Sequence, residues 1–336
     1  MKQNKIFVIA EIGVNHNGKI KIAKKLIDVA KKCGADAVKF QTFSADRLST
    51  TSNQKVKYQK KNTLSSENHY QMLKNLELSE IQHRDLLNYC KRKKINFIST
   101  PYDVVSAKLL KKMGLKVFKT SSADIVDNSL HEYLSKVASK VIISTGMSSM
   151  DEILRVHKIY QKTKVNVVYL HCVSNYPCSD NSLNLNSIFT LKSLNSPVGF
   201  SDHSQSNLAS IVSIGMGARV IERHITLNKK MKGPDHFSSD DPKQFKFYVK
   251  NIRKIENMLG SQIKKAQSEE EEMKKISRKG IYYKVNKKKG NKIKADDVLF
   301  LRPFKGIYPY EQKLFINKKL KKDVKKLEFV KINDFK

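Results

Sequence analysis

Short apolar runs recur along the chain at nearly even intervals, and each is followed by a stretch whose apolar residues repeat with the period of a helix. Such runs indicate buried strands, and the stretches between them indicate amphipathic helices. Because eight such units follow one another, we predict an α/β fold, a (β/α)8 (TIM) barrel of parallel strands. The predicted strands span residues 6–13, 37–41, 95–100, 117–122, 141–146, 165–172, 197–202 and 219–227.

One connection between these units is much longer than the others. Residues 44–78 separate the second predicted strand from its helix, and this stretch is polar and rich in Lys, Ser and Asn. Long connections at this end of a barrel often cover the active site, but a tolerated surface insertion would look the same. The predicted helices span residues 20–33, 79–93, 104–112, 130–138, 150–162, 183–194, 207–216 and 242–259.

After residue 259 the pattern changes. A charged stretch at 263–276, which includes four consecutive glutamates, predicts a linker, and the short strands and turns that follow predict a small, mostly β domain. We therefore divide the chain into a barrel (1–262), a linker (263–276) and a C-terminal domain (277–336). The length of 336 residues suits a barrel with a small appendage.

The chain carries 65 Lys and Arg against 31 Asp and Glu, a formal net charge of +34, which would suit a nucleic-acid-binding protein. Only nine of these basic residues are Arg, however, and Lys is spread along the whole sequence. Arg is the residue that base and phosphate recognition favours. We therefore expect no nucleic-acid partner and attribute the charge to a lysine-rich compositional bias.

Apolar residues make up 40% of the chain, enough for a sizeable core. No run of about 18 apolar residues occurs, so we expect no membrane span. The N-terminal residues lack the apolar region and the small-residue cleavage site of a signal peptide. These features predict a cytoplasmic location.

Polar side chains follow the predicted strands at their C-terminal ends, where barrels of this kind form active sites. Strand alternation places Lys39 opposite to Val38 and Phe40, so Lys39 should point into the barrel while its apolar neighbours meet the helices. Lys119 shares a face with Val117 and should also point inward. A buried ion pair would explain one inward lysine. Two of them beside several serines favour a site for phosphate or carboxylate.

Two histidines should lie side by side at the barrel mouth: His203 at the end of the seventh predicted strand and His224 within the eighth. Either one alone is well explained as a hydrogen-bonded core histidine. Together, two neutral imidazoles from adjacent strand ends favour a divalent metal site with positions left open for water and substrate.

Most of these strand ends carry a short motif. The motifs are AEIGVNHNG (10–18), KFQ (39–41), STP (99–101), STGM (144–147), HCVSNYP (171–177), SDH (201–203), ERH (222–224) and GPDH (233–236). In this order and spacing they resemble the sialic acid synthase family over nearly the whole chain. The C-terminal domain resembles that family's antifreeze-like (SAF) domain, with Arg302 and Pro303 in the corresponding place.

The resemblance implies a reaction in which phosphoenolpyruvate condenses with the open-chain aldehyde of an N-acetylated amino sugar to give a nine-carbon 2-keto acid and phosphate. It implies a divalent metal on His203 and His224, usually Mn²⁺, with Mg²⁺ or Co²⁺ as alternatives. It also implies a homodimer with swapped C-terminal domains. The implied phosphoenolpyruvate contacts are Lys39, Thr100, Lys119, Ser122, Ser144, Asn175 and Ser201.

The same resemblance implies catalytic roles for four residues. Lys39 and Lys119 would stabilise negative charge, and Glu11 and Asp124 are candidates for proton transfer. Many relatives have Glu where this chain has Asp124, and the shorter side chain leaves the exact role of that carboxylate open. The implied sugar contacts are Gln41, Tyr176, Asp235 and, from the partner subunit, Arg302.

The sequence around the first long connection bears on which sugar is used. Residues 39–43, 58–61 and 72–78 resemble most closely the synthases that make N,N′-diacetyllegionaminic acid from a 2,4-diacetamido-trideoxy sugar of the mannose type. N-acetylmannosamine, which gives N-acetylneuraminate, is the alternative, and the pseudaminic acid branch comes third.

Two further interpretations compete with this one. A phosphoenolpyruvate aldolase that makes a seven- or eight-carbon keto acid would lack an antifreeze-like domain, so residues 277–336 argue against it. A non-catalytic protein that binds ice through this domain would need a flat, weakly charged surface, whereas residues 317–322 alone carry four lysines.

Overall fold

Eight strands of the computed structural model, which describes residues 5–63 and 66–336, run parallel to one another. All eight coincide with strands expected from the sequence, which confirms the predicted barrel. The strands are β1 (Phe7–Gly13), β2 (Ala37–Thr42), β3 (Asn96–Pro101), β4 (Val117–Thr120), β5 (Lys140–Ser144), β6 (Asn166–Cys172), β7 (Val198–Asp202) and β8 (Val220–His224).

The strands are hydrogen-bonded in the order β3-β2-β1-β8-β7-β6-β5-β4. Strands β3 and β4, at the two ends of this order, pack side by side, so the sheet closes on itself. Closure brings the C-terminal ends of all eight strands to one mouth, as in other (β/α)8 barrels.

Helices cover the outside of the barrel, and several begin at a side chain that accepts a hydrogen bond from the backbone N–H three residues further on. Ser79, Asp103, Asp127, Ser149 and Asp241 act in this way. The helices that follow the strands are α1 (Ile20–Cys33), α5 (Glu80–Lys93), α6 (Val104–Lys112), α7 (Asn128–Val137), α8 (Met150–Gln161), α9 (Ser187–Lys192), α10 (Leu208–Gly215) and α11 (Pro242–Leu259).

The long connection after β2 is not a structureless loop. It contains three short helices, α2 (Ala45–Leu48), α3 (Lys57–Asn62) and α4 (His69–Leu76). Met72, Leu73 and Leu76 of α4 are buried in an apolar cluster with Val14 and Phe43. The spacing of these three residues fits one face of a helix, a signal that the polar composition of the surrounding segment masks.

The side chains inside the barrel change from apolar to polar toward the C-terminal ends of the strands. Near the N-terminal ends they form a small apolar cluster of Ile9, Ala37, Ile98, Ile142, Val168, Leu170 and Val220. Two residues further along, the same face of the strand carries Glu11 after Ile9, Lys39 after Ala37 and Glu222 after Val220. The apolar layer is therefore the floor on which the polar mouth is built.

The chain divides into two compact units, and the boundary between them in the sequence lies between Gly260 and Ser261. In the second unit, β9 (Gly280–Tyr283) and β10 (Val298–Leu301) form an antiparallel pair over a core that includes Ile281 and Phe315. Helix α12 (Glu271–Ser277) begins within the stretch predicted as a linker and ends one residue beyond it. Within the described residues, no helix is both long and apolar enough to cross a membrane.

Replacing Gly199 by alanine should destabilise the barrel by about 1–3 kcal/mol, because a Cβ there would collide with the Val220 carbonyl and the Leu170 side chain. Gly215 offers a matched control: it ends α10, is exposed, and has open space where a Cβ would stand. Gly215→Ala should leave stability within about 1 kcal/mol of the wild type. Urea unfolding of the two variants measures both effects, and equal midpoints would contradict the close approach of β7 to its neighbours.

Candidate active site

A cavity of about 510 Å³ opens at the C-terminal ends of the strands. Of the 15 site residues expected from the sequence, 13 line it. They are Glu11, Lys39, Gln41, Thr100, Lys119, Ser122, Asp124, Ser144, Tyr176, Ser201, His203, His224 and Asp235.

Lys39 lies at the centre of a buried charged cluster. Its Nζ is 2.9 Å from Glu11 Oε2 and 3.5 Å from Glu222 Oε1, and it donates a hydrogen bond to Thr100 Oγ1 at 3.2 Å. Glu222 Oε1 also accepts a hydrogen bond from Ser201 Oγ at 3.2 Å. Strand register explains the arrangement, because Glu11 pairs directly with Lys39 across β1 and β2.

Lys119 is the second buried lysine, and it has no such partner. Its Nζ donates to the Thr120 carbonyl at 2.9 Å and to Ser144 Oγ, and within the described part of the chain no carboxylate forms an ion pair with it. Burial lowers the pKa of Lys119, although Glu222 opposes the shift. A buried ammonium held only by neutral oxygens attracts an anion into the cavity.

Burial and neighbouring charges shift the other members of the cluster in different directions. Burial raises the pKa of Glu11 to about 7, against the effect of Lys39. Burial alone would raise the pKa of Glu222, but Lys119 and Lys39 hold it below its usual range. Burial would lower the pKa of Lys39, yet the two carboxylates raise it. Lys39 and Glu222 are therefore charged near neutral pH, and Glu11 is the member whose charge changes there.

His203 and His224 lie side by side, with ring centroids 5.6 Å apart. The Nδ1–H of His203 donates to the Val173 carbonyl at 2.7 Å, so the ring lone pair is on Nε2, which lies 3.3 Å from Ser201 Oγ. His224 Nδ1 is buried without a hydrogen-bond partner in the described part of the chain, 3.9 Å from Asp235 Oδ2. Burial lowers the pKa of His203 to about 4 and that of His224 well below its usual value, so both rings are neutral at pH 7.

Two neutral imidazoles with free lone pairs fit a divalent metal, which takes His only in this form. In residues 5–63 and 66–336, no set of three His, Cys, Asp or Glu side chains is arranged to hold a metal ion. A metal held by His203 and His224 would therefore keep several positions for water and substrate. The Tyr176 ring packs against both imidazoles, at 4.1 Å and 5.5 Å between centroids, and limits how they rotate.

The long connection after β2 forms one wall of this cavity, which decides between its two interpretations from the sequence. Tyr58 of α3 packs on Tyr176 with the ring centroids 5.4 Å apart. Asn62 of the same helix accepts a hydrogen bond at its carbonyl from Gly233 N–H, 3.1 Å away, in the loop after β8. The apolar part of the wall consists of Leu48, Val56, Met72, Leu73 and Leu76.

The remaining carboxylates of the cavity are partly protonated near neutral pH. Asp124 lies in a 3₁₀ turn (Ala123–Val126) after β4, where burial raises its pKa to about 6 although Ser121 Oγ donates to Oδ2 at 2.6 Å. Burial also raises the pKa of Asp235 to about 6. Gln41 Nε2 donates to Glu11 Oε1 at 3.2 Å.

Two of the expected site residues lie elsewhere. Asn175 is exposed and outside the cavity lining, where its neighbour Ser174 takes a place instead. Arg302 is an exposed residue of the second unit. Sequence reasoning did not single out Tyr58 as a site residue, and it noted Glu222 only as part of the ERH motif (222–224). The inward face of β8 gave a signal for Glu222, whereas the sequence marked Tyr58 only as a member of residues 58–61, which resemble legionaminic acid synthases.

Comparison with known proteins identifies the group to which this site belongs. Residues 26–264 match the model of the NeuB family. The chain belongs to the NeuB family. It is 42% identical to the N,N′-diacetyllegionaminic acid synthase of Legionella pneumophila, over 91% of this chain and 87% of that protein. It is 38% identical to the synthase of the same name from Campylobacter jejuni, over 97% and 99% of the two chains.

A solved structure extends the comparison. The N-acetylneuraminic acid (sialic acid) synthetase of Leptospira borgpetersenii superposes with a TM-score of 0.71 at 31% identity, over 80% of this chain and 90% of that one. The expected likeness to sialic acid synthases is thereby confirmed, and this NeuB-family chain is an enzyme.

Replacing Glu11 of this NeuB-family enzyme by glutamine should change how its stability depends on pH. Because folding raises the pKa of Glu11 from 4.5 to about 7, the proton on this carboxyl favours the folded state. That contribution is fully present below pH 4.5 and is lost as the pH rises through about 7. The glutamine variant has no such loss, so its urea midpoint should gain on that of the wild type between about pH 5 and pH 8.

The exposed Glu272 provides the control for this experiment. The urea midpoint of Glu272→Gln should differ from that of the wild type by the same amount at about pH 5 and at about pH 8. If the difference in urea midpoint between Glu11→Gln and the wild type were also independent of pH, the pKa of Glu11 would not be raised by folding.

Proposed function

We propose that this enzyme condenses phosphoenolpyruvate with the aldehyde of an N-acetylated amino sugar, giving a nine-carbon 2-keto sugar acid and phosphate. The observation that carries the proposal is the pair of buried lysines, of which Lys119 has no carboxylate partner in the described part of the chain, next to two neutral histidines. Phosphoenolpyruvate carries a phosphate and a carboxylate on adjacent atoms, so it suits two ammonium groups that face one cavity.

The hydroxyl groups around the lysines complete the anion site. Thr100 Oγ1 and Ser144 Oγ already contact Lys39 and Lys119, and Ser122 and Ser201 line the same cavity. These groups can donate to phosphate or carboxylate oxygens without adding charge. Asn175 remains part of the proposal only if the turn after β6 rearranges when substrate binds.

His203 and His224 would hold the divalent metal, for which Mn²⁺ is our first choice and Mg²⁺ or Co²⁺ the alternatives. When bound, such an ion supplies Lewis acidity toward an aldehyde oxygen. Tyr176, packed on both rings, would keep the histidines oriented toward the cavity.

The proposed reaction forms and breaks bonds in a sequence that the cavity side chains must assist. C3 of phosphoenolpyruvate forms the new bond to the aldehyde carbon, and positive charge develops at C2, which the ionised Glu222 in the cavity lining would stabilise. Water then adds at C2, and the bond between C2 and the phosphate oxygen breaks. One water proton ends on the former aldehyde oxygen, and the other ends on the departing phosphate as the C2 carbonyl forms.

Two carboxyl groups with raised pKa values are suited to moving these protons. Asp124, with a pKa of about 6, is mostly ionised at pH 7 and takes the proton of the attacking water. Glu11, with a pKa of about 7, gives a proton to the departing phosphate and regains one from C2–OH. Lys39, in contact with Glu11, stabilises its ionised form between these steps.

We further propose that the sugar is the 2,4-diacetamido-trideoxy substrate of N,N′-diacetyllegionaminate synthases. The apolar wall that includes Leu48, Val56 and Leu73 offers contacts for acetyl methyl groups and for a 6-methyl group, each worth about 0.8 kcal/mol when buried. N-acetylmannosamine would present a 6-hydroxyl group to this apolar wall where the trideoxy sugar presents a 6-methyl group. The identities of 42% and 38% with two legionaminic acid synthases, against 31% with the sialic acid synthetase, support the same choice.

The second unit is proposed to be an antifreeze-like domain that serves the active site of the other subunit in a swapped homodimer. Arg302 of the partner subunit would then bind the N-acetyl end of the sugar. Its exposure in this chain leaves the guanidinium available for such a contact.

Phosphate release from phosphoenolpyruvate tests the reaction directly. We expect release only when a sugar aldehyde is present, and none after complete chelation of divalent metal. The kcat/KM for the diacetamido-trideoxy sugar should exceed that for N-acetylmannosamine by about 10–100-fold, the range that one substituent in an apolar pocket provides. The reverse order would make the protein an N-acetylneuraminate synthase. Turnover with an unacylated pentose phosphate would contradict the proposed reaction.

Replacing Arg302 by alanine should raise KM for the sugar by about 10-fold or more, the equivalent of one charged hydrogen bond, and leave KM for phosphoenolpyruvate within about twofold. Arg278, which lies over the Tyr308 ring in the same unit, is the matched control. Arg278→Ala should change neither constant. Equal changes in both constants for Arg302→Ala would remove this residue from the sugar site.

A further inference from the structure

Between the inward-facing residues of β7 and β8 lie two charged residues that face the other way. Asp202 separates Ser201 from His203, and Arg223 separates Glu222 from His224. Both are buried between the barrel and its helices, and neither lines the cavity. The chemistry at the mouth does not use them, so their burial needs a separate explanation.

The Arg223 guanidinium joins the chain on both sides of His203. Its Nη1 lies 3.1 Å from Asp202 Oδ1 and donates to the Ser204 carbonyl at 2.6 Å. Its Nη2 donates to Asp240 Oδ1 at 2.8 Å. The planar fork therefore fixes three points at once, two next to His203 and one in the loop that follows β8.

The same contacts reach His224 through the backbone. Asp240 N–H donates to the His224 carbonyl at 2.9 Å, so the residue held by Nη2 is itself bonded to the second histidine. The Cys178 N–H donates to the His203 carbonyl at 2.9 Å and closes the other side. A shift of the guanidinium would consequently move both histidines relative to each other.

Asp202 is held so that it cannot follow such a shift. Its Oδ1 accepts from Ser204 N–H at 2.9 Å and from Ser204 Oγ at 2.7 Å, and its Oδ2 accepts from Ser210 Oγ of α10 at 2.6 Å. The Tyr248 ring of α11 lies 5.3 Å from the Arg223 guanidinium carbon. The network thus anchors the two strand ends to the two helices behind them.

We propose that Arg223 is a positioning residue that fixes the separation of the His203 and His224 imidazoles and thereby sets the affinity of the site for a divalent cation. The inference rests on the proposed two-histidine metal site. It assigns to the outward face of β7 and β8 a role in metal binding, although none of its side chains touches the metal position.

A general role in stability is the competing explanation, and the chain contains a matched control for it. Arg253 of α11 makes the same kind of fork at the opposite end of the barrel. It donates to the Ile6 carbonyl at 2.7 Å, to Glu256 Oε1 at 2.6 Å and to Asp36 Oδ2 at 2.6 Å. Replacing it removes a comparable set of bonds far from the histidines.

The test is a titration of the metal-stripped, full-length protein with Mn²⁺ in the absence of substrate. The electron paramagnetic resonance signal of free Mn²⁺ reports how much of the ion remains unbound. Arg223→Lys keeps the charge and loses the fork, so we expect Kd for Mn²⁺ to rise by about 10–100-fold. Arg253→Lys should leave Kd within about twofold. Circular dichroism at the binding temperature establishes that each variant is folded.

Asp240→Asn decides the matter if Arg223→Lys does not fold, because it keeps the shape of the side chain and removes only one charge. It should raise Kd by a smaller factor, about three- to tenfold, in the folded protein. The positioning role would be overturned if folded Arg223→Lys, or folded Asp240→Asn in its place, bound Mn²⁺ as tightly as the wild type. It would also be overturned if Arg253→Lys lost as much Mn²⁺ affinity as Arg223→Lys. His203→Ala separates the two proposals: Mn²⁺ affinity unchanged in that variant would refute the metal site itself.

Discussion

Placing four charged side chains inside the mouth of a barrel is the constraint on which the rest of this structure depends. An isolated buried charge costs several kcal/mol, and Lys39 lies in direct contact with both Glu11 and Glu222. The compensation is incomplete, because Lys119 donates hydrogen bonds only to neutral oxygens in the described part of the chain. Under the proposed function, the remaining negative charge would arrive with an anionic substrate.

Strand alternation lets the barrel perform two tasks with consecutive residues. On β7 and β8 the inward residues supply serine, carboxylate and imidazole groups to the cavity, while Asp202 and Arg223 between them face the helices. Both sets of side chains are buried, and each makes its contacts on its own side of the sheet. A one-residue change of register would exchange the two sets and destroy both, which makes the pairing of these strands a functional as well as a structural requirement.

The fold and the inward-facing lysines could be predicted because both depend on local periodicity, whereas most other cavity residues were expected only from the resemblance to sialic acid synthases. Alternation alone placed Lys39 and Lys119 inside the barrel, and eight strand–helix units implied its closure. Helix α4 was missed because its three buried residues stand in a polar segment, and their partners Val14 and Phe43 are remote in sequence. The packing of Tyr58 on Tyr176, and the exclusion of Asn175 from the cavity, depend on how turns fold, which periodicity does not describe.

Under the proposed reaction, the charge state of Glu11 would link substrate binding to catalysis. In the ligand-free site its pKa of about 7 reflects a balance between burial and the nearby Lys39 ammonium. An anion bound by the lysines adds negative charge close to the carboxyl and raises its pKa further, so binding is coupled to uptake of a proton. Under the proposed reaction, the bound state would then hold the proton that the departing phosphate needs. Incomplete compensation of charge in the free enzyme would in this way both attract the substrate and prepare the acid that acts on it.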